Sequence, residues 1–421
     1  MFESAYRQRL ASDLARWQSD GVITSATGDA IRIALPPMPR AVNIQTVVGI
    51  FGGILIAAAF LAFVAANWSG IARPARFAIL LAGIVGAYGI GAWFDRSNRP
   101  HLADIGATVG SIVFGASIAL VGQMYHLAED FAGGLMLWSA GSLIAAILTG
   151  SRGALAVALA AGCVWSGMRA EEAGAVPHVP FIAFWLIGAA LAVIWNSPVA
   201  RHLVGVAALG WLLTIFIGTI DRNSGNPISP IVGSAALLLG GGLALSSLAS
   251  GPVRALGLTM STYAAFGLAL VLAPVGIGDY VPRVRVAPDW ALACGVAGML
   301  LAFGAAAAGR RPGHAFAGLA LVFAMALATG WASAASLPQP WTTYAMALAS
   351  MLCLVVSGML DDVRPRLVAG WVGLGLIIAG ITWAVKGSLL RRAAFLAGAG
   401  IAAVALAALL SRLVPKEEDG R

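Results

Sequence analysis

Nineteen consecutive residues, Ile231-Val-Gly-Ser-Ala-Ala-Leu-Leu-Leu-Gly-Gly-Gly-Leu-Ala-Leu-Ser-Ser-Leu-Ala249, carry no charge and are almost all apolar or small. A helix needs about 20 such residues to cross the hydrocarbon core of a bilayer. Stretches of this kind, about fourteen in number, follow one another from Val47 to Ser411. The sequence therefore predicts an all-α fold: a polytopic transmembrane helical bundle of about 14 spans.

Apolar length and helix-breaking residues set the limits of the predicted spans. Two of them, 154–168 and 180–195, are short, so a half-inserted or differently tilted helix is an alternative there. The predicted spans are 47–66, 77–94, 105–124, 131–149, 154–168, 180–195, 203–220, 231–249, 255–275, 289–308, 315–336, 342–359, 367–385 and 393–411.

The composition excludes a water-soluble fold. Of the 421 residues, 60% are hydrophobic and 10% are charged, and the mean hydropathy is +0.88, whereas soluble domains contain about 25% charged residues. The net charge of +8 does not indicate nucleic acid as a partner, because the basic residues are spread over short connections. Cys163, Cys294 and Cys353 lie inside apolar stretches without paired spacing, so no disulfide framework, metal site or other cofactor is expected.

The first forty-odd residues are polar and have the pattern of a helical hairpin. Apolar residues recur at helical spacing between Ser4 and Ser19, and Asp20-Gly21 ends that helix. A second short helix is expected from about Ser25 to Ile33, before a proline-rich segment. The beginning of the chain lacks the basic and then apolar order of a cleaved signal peptide. This hairpin either binds a cytoplasmic protein partner through residues 1–40 or packs on itself or on the membrane face.

The distribution of the basic residues predicts how the chain is oriented in the membrane. Most of the 26 Lys and Arg residues fall in segments on the same side as the N-terminus, and such segments are retained in the cytoplasm. The cluster from Lys386 to Arg392 fits this arrangement poorly. We expect a multi-pass protein of the bacterial inner membrane with both termini cytoplasmic: a helical hairpin at 1–44, a transmembrane domain at 45–411 and a polar tail at 412–421.

The densest polar cluster in the apolar region joins the third and fourth predicted spans and is expected to face outward. Its candidate site residues are Gln123, Tyr125, His126, Glu129 and Asp130. If the helix continues, His126 and Glu129 share one face, where a carboxylate can orient an imidazole for proton transfer. The alternative is a polar connection in which Gln123 and Tyr125 anchor the membrane interface.

The most polar patch within a predicted span contains Thr259, Ser261, Thr262 and Tyr263. These residues are candidates for lining a cavity. The alternative is that the hydroxyl groups bond to carbonyls of their own helix. Every Asp, Glu, Lys and Arg falls in a connection or at the edge of a predicted span. This distribution weighs against a proton- or sodium-coupled transporter that relies on a buried acid at the bilayer centre. No internal repeat is evident by inspection.

Several N-terminal motifs resemble a known family. They are Trp17-Gln-Ser-Asp-Gly-Val-Ile23, Ala65-Ala-Asn-Trp68 with Arg73-Pro-Ala-Arg76, and Gln123-Met-Tyr-His126 with Trp138. Together they resemble the bacterial predicted membrane proteins of the domain of unknown function 2157, over roughly residues 5–165. The resemblance implies a bacterial inner-membrane protein and assigns no catalytic residue.

Three functional hypotheses remain open. The first is a transport-like protein, or one that handles a lipid or an envelope precursor, with the bilayer and a lipid or small molecule as partners. The second is a membrane-embedded enzyme with an outward-facing site at 123–130. The third is a membrane scaffold or sensor that binds a cytoplasmic partner through residues 1–40. Fold and span number do not choose among them.

Overall fold

The computed structural model describes residues 2–34, 52, 55, 59, 71–125, 130–173, 178–220, 228–273, 289–331, 335–338 and 340–384. The chain divides into two compact units, Met1–Ile54 and Leu55–Arg421. All regular structure in the described ranges is helical. The predicted spans 47–66 and 393–411 lie outside the described residues, apart from isolated positions in the first of them.

The first unit contains the predicted pair of short helices, α1 (Phe2–Ser19) and α2 (Ser25–Ala34). Thr24 caps α2, because its hydroxyl accepts a hydrogen bond from the Thr27 backbone N–H at 3.2 Å. Gln18 of α1 packs against Gly28 of α2. Both predicted helices are therefore present, while their cytoplasmic location stays a prediction.

The second unit contains twelve helices within the described ranges. They are α3 (Arg73–Arg96), α4 (Pro100–Tyr125), α5 (Phe131–Thr149), α6 (Arg152–Glu172), α7 (Pro180–Ile194), α8 (Pro198–Ile220), α9 (Ile228–Leu248), α10 (Gly251–Leu272), α11 (Asp289–Gly309), α12 (Pro312–Ala328), α13 (Trp341–Leu360) and α14 (Arg364–Ala384).

Ten of these helices are long and apolar enough to cross a membrane, and α7 and α12 are shorter apolar helices. The prediction of a polytopic helical bundle is confirmed. Some boundaries differ by several residues: α4 and α8 begin five residues before the spans predicted at 105–124 and 203–220, and α12 ends at Ala328, within the span predicted at 315–336. Gly330 follows with a φ of 69°, a left-handed conformation that ends helices, although the apolar sequence continues beyond it.

Six connections of the second unit are turns of two or three residues, at 97–99, 150–151, 195–197, 249–250, 310–311 and 361–363. Each contains or adjoins a residue with positive φ. These residues are Asn98, Gly150, Asn196, Gly251, Arg310 and Asp362. In five of the six, a proline stands in the first turn of the next helix, where its missing N–H costs no hydrogen bond. The bundle is thus a series of helical hairpins joined by short turns, each with a left-handed residue in or next to it.

Neighbouring hairpins point the same way. A Cβ on Gly233 would overlap the carbonyl of Ala291, and one on Gly240 would overlap that of Gly298. These contacts are seven residues apart in both helices, so α9 and α11 run parallel. Equivalent contacts join α4 to α6 and α6 to α8. We call the end that carries the six turns the turn end. The opposite end, where α4, α6, α8 and α10 finish, is the loop end.

Polar contacts link successive hairpins at the turn end. The Asp104 carboxylate accepts hydrogen bonds from the Ser151 hydroxyl and from the Gly153 backbone N–H, the second at 3.2 Å. Arg152 Nε donates to the Ser197 hydroxyl at 3.1 Å, and the Ser197 oxygen also accepts from the Ala200 N–H at the start of α8. The same side chains therefore cap helices and tie adjacent turns together.

Candidate functional site

An apolar cavity of about 520 Å³ lies between α7, α8, α9 and α11. Its volume falls within the range of about 300–1,000 Å³ that is usual for small-molecule sites. The lining residues occupy the halves of these helices nearer the loop end. They are Val179, Phe181, Ile182, Trp185, Ala208, Trp211, Ser234, Leu237, Leu238, Trp290 and Cys294.

Two indole groups of the lining differ in their hydrogen bonding. Trp185 Nε1 donates to the Val204 carbonyl at 3.0 Å. Trp211 Nε1 is buried and has no acceptor among the described residues. A buried N–H without a partner costs about 1–3 kcal/mol. A ligand oxygen or nitrogen that reached Trp211 would therefore gain a hydrogen bond in otherwise apolar surroundings.

The predicted polar cluster at 123–130 is placed only in part. His126 and Glu129 lie outside the described residues, so their proximity stays a prediction. Gln123 and Tyr125 lie in the last turn of α4, and Tyr125 is half exposed. Asp130 caps α5, because its carboxylate accepts from the Gly133 N–H at 2.8 Å.

Asp130 also belongs to an exposed ion-pair network at the loop end. Arg169 of α6 contacts Asp130 at 2.9 Å and Glu172 at 2.7 Å. Nearby, the ring of His178 meets that of Trp165 edge-on, with centroids 4.5 Å apart. Burial, and then the charge of Arg169, lower the pKa of His178 below its ordinary value.

The four candidate residues at 259–263 are in α10, and three of them bond within that helix. Thr259 donates to the Ala255 carbonyl, and Ser261 and Thr262 both donate to that of Leu258, each at 2.9 Å. The Tyr263 hydroxyl instead lies 3.2 Å from His202 Nδ1 of α8. The cavity described above is formed without these residues.

A buried charged cluster that sequence analysis missed lies at the turn end, between α12, α13 and α14. Asp361 Oδ2 accepts hydrogen bonds from His314 Nδ1 at 2.5 Å and from Arg366 Nη1 at 2.8 Å. Arg366 Nη1 also donates to the Ser357 hydroxyl at 3.0 Å. The His314 and Arg366 side chains are 0% exposed and that of Asp361 is 1% exposed. Gly313 permits this approach, because a Cβ there would overlap the Asp361 carboxylate.

Asp361 supplies the negative charge of this cluster. Burial alone would raise the pKa of Asp361, but the hydrogen bond and charge of His314 and the charge of Arg366 lower it below its ordinary value. The carboxylate is therefore ionised at neutral pH and compensates the charge of Arg366. In the sequence Asp361 stands in a turn, a position that gives no sign of burial.

Metal chemistry has no evident location in the part of the chain that the structure describes. No group of three or more His, Cys, Asp and Glu side chains there is arranged to hold a metal ion.

The apolar helices and their hairpin order define a polytopic helical membrane protein, with an apolar cavity and a buried ion cluster toward opposite ends. The model of a family described as predicted membrane protein (DUF2157) matches residues 15–155. This match confirms the resemblance of the N-terminal part, from α1 into the start of α6. No curated protein and no solved structure matches the chain.

Proposed function

We propose that the protein binds a lipid-like molecule, as part of a transport-like or lipid- and envelope-precursor-handling role in the bacterial inner membrane. The observation that carries this proposal is the apolar cavity of about 520 Å³ between α7, α8, α9 and α11. In the proposed complex an apolar chain fills the cavity, and the Trp211 ring, whose N–H is buried in the described conformation, turns so that Nε1 donates to a polar atom of the ligand.

The polar contact matters because the bilayer itself is apolar. Lipid tails solvate an apolar chain as well as leucine side chains do, so transfer into the cavity provides little driving force by itself. Selectivity must then come from the shape of the walls and from hydrogen bonding. The rings of Trp185, Trp211 and Trp290 give the cavity walls their shape. The unpaired N–H of Trp211 provides the hydrogen-bond donor.

The proposed orientation assigns the cavity to one leaflet. The turn end carries basic residues in or beside its turns, such as Arg99, Arg152, Arg310 and Arg364, and such residues favour the cytoplasmic side. If the turn end is cytoplasmic, the cavity lies in the outer half of the bilayer. The natural ligand is then a lipid or precursor of the outer leaflet.

Native mass spectrometry of the full-length protein, extracted with its own lipids, tests this proposal. Ala208→Leu places a larger side chain in the cavity and is expected to reduce the retained lipid-like species severalfold. Trp211→Phe keeps an aromatic wall but removes the N–H, so we expect a smaller loss that depends on the ligand's polar group. Ala293→Leu is the matched control, because Ala293 is exposed on α11 and is not part of the lining.

The outcome is decisive in both directions when all variants elute as folded protein. Loss of one species from Ala208→Leu alone supports the cavity as the binding site and identifies the ligand by mass. Equal retention by wild type, Ala208→Leu and Ala293→Leu would refute the proposal.

A further inference from the structure

Arg366 leaves one edge of its guanidinium group unused. Its Nη1 atom holds Asp361 and Ser357, whereas Nε and Nη2 are buried and have no hydrogen-bond partner within the described ranges. His314 Nε2 is also buried and lacks a partner there. These three nitrogens belong to one ion cluster, because Asp361 Oδ2 joins His314 to Arg366.

The free edge has a specific chemistry. Nε–H and one N–H of Nη2 lie side by side in the guanidinium plane and form a rigid two-donor fork. This fork matches two oxygens of a phosphate or carboxylate group, and charge-assisted pairs of this kind are the strongest hydrogen bonds that proteins make. Because unpaired buried donors are costly in an apolar medium, Arg366 is well suited to an anionic acceptor.

The position of the cluster favours an anion at headgroup depth. His314 is the third residue of α12 and Arg366 the third of α14, so each lies within about 5 Å of its helix start at 1.5 Å per residue. Both helix N-termini carry partial positive charge. Arg311, at the position just before α12, adds a full positive charge close enough to act on Arg366. One carboxylate, Asp361, pairs with both His314 and Arg366.

We propose that the His314–Asp361–Arg366 cluster binds a phosphate group, which contacts the Nε/Nη2 edge of Arg366. Asp361 stays on Nη1 and holds the guanidinium in place. Since these nitrogens are below the protein surface in the described conformation, entry requires the turn at 361–363 to open transiently and then to close again with Asp361 back on Nη1. The phosphate belongs either to a lipid headgroup or to a free ion.

Binding to the unmodified protein distinguishes these two sources. In a maltoside detergent that contains no phosphate, inorganic phosphate is titrated by calorimetry. In a separate sample, retention of phosphatidylglycerol is compared with that of diacylglycerol with the same chains by native mass spectrometry. Preference for phosphatidylglycerol without binding of free phosphate indicates a headgroup, and binding in both arms indicates the phosphate group itself. No binding of phosphate and no preference for the phospholipid would overturn the proposal.

Arg366→Lys tests the residue. Lysine keeps the charge but loses the two-donor fork, so we expect at least about tenfold weaker binding in the arm that is positive for wild type. Arg364→Lys, at an exposed position on the same helix, is expected to change binding less than about twofold. Equal effects of the two substitutions would contradict a specific site. Should Arg366→Lys fail to fold, absence of binding in both wild-type arms still overturns the proposal, and a signal that is retained in Ala208→Leu still separates the cluster from the cavity.

The Ala208→Leu variant separates this site from the cavity. Its substitution lies in the cavity lining and not in the ion cluster, so phosphate and headgroup preference are expected to match wild type. Failure of the proposed cavity ligand would leave that result unchanged. Loss of the phosphate response in Ala208→Leu would show instead that a lipid held in the cavity causes the signal.

Discussion

At the turn end of the second unit, short turns with left-handed residues join the helices, and polar side chains pair across neighbouring hairpins. At the loop end, the chain between helices is longer, the described ion pairs are exposed, and an apolar cavity separates four helices. The two ends belong to the same helices, but the contacts between the helices differ from one end to the other. Among the described residues, polar contacts between neighbouring hairpins lie at the turn end, and the apolar cavity lies toward the loop end.

This division is typical of proteins that bind ligands within a bundle. Binding regions come from the less stable parts of a structure, because a ligand must enter and leave. In this protein the loop-end halves of α7, α8, α9 and α11 surround the cavity, and short turns join the helices at the opposite end. Substitutions at the turn end should therefore affect stability more than equivalent ones at the loop end.

The largest effect is expected from Asp361→Asn. The substitution leaves Arg366 buried without a compensating charge, and breaking a buried pair in this way costs about 3–5 kcal/mol. The free energy of unfolding of the purified protein, measured by titration with a denaturing detergent, checks this value. The neighbouring Asp362→Asn is the control, because Asp362 is exposed with φ of 52° and Asn tolerates that conformation. Similar losses in both variants would mean that the ion cluster contributes no special stability.

Glycines at the two ends offer the next comparison. A Cβ on Gly358, at the turn end of α13, would meet the backbone of Leu367, so Gly358→Ala is expected to cost about 1–3 kcal/mol through overpacking. Gly122, near the loop end of α4, has nothing within 4 Å of such a Cβ. Gly122→Ala should stabilise the helix by up to about 1 kcal/mol. Thermal unfolding of both variants measures the difference, and effects of the same sign would remove this contrast between the ends.

The fold could be predicted because bilayer crossing imposes a length and a composition on every helix. The span predicted at 131–149 coincides with α5. The hairpin repeat was missed because its signal is small: one left-handed residue and a proline within a few positions, as in Asn98 and Pro100. The distance between successive left-handed residues of the six turns varies from 46 to 59 positions, so the repeat is not evident by inspection.

The candidate sites were harder to predict, because they depend on which distant residues meet. The cavity is lined both by Val179 of one hairpin and by Cys294 of another. An apolar sequence does not show whether the helices that it forms leave a gap between them. His314 and Asp361 are 47 positions apart. Sequence shows that a residue is charged and near a helix end, but only packing determines whether water reaches it.

Substitution of Asp130, at the loop end, is expected to lower the stability of the protein by a smaller amount. Asp130→Ala removes the cap of α5 and should cost about 1 kcal/mol. Glu172→Gln removes only an exposed ion pair with Arg169 and should cost less than that. Unfolding in a denaturing detergent at low and moderate salt measures both. If Glu172→Gln proves as damaging as Asp130→Ala, the ion-pair network rather than the cap stabilises this end.

The smallest effect is a dependence on pH at the loop end. The pKa of His178 is lowered in the folded protein. Below the ordinary histidine pKa of about 6.5, the unfolded chain therefore binds a proton at this residue more readily than the folded protein does. Stability contributed by neutral His178 is therefore present above that pH and is lost as the pH falls. Thermal unfolding of wild type from pH 8 to pH 5.5 should show this decline, and His178→Gln should reduce it. His101→Gln, at an exposed position of the turn end, should retain the wild-type slope. If His101→Gln alone flattened the curve, the pH-sensitive contact would belong to the turn end, which would reverse this part of the comparison.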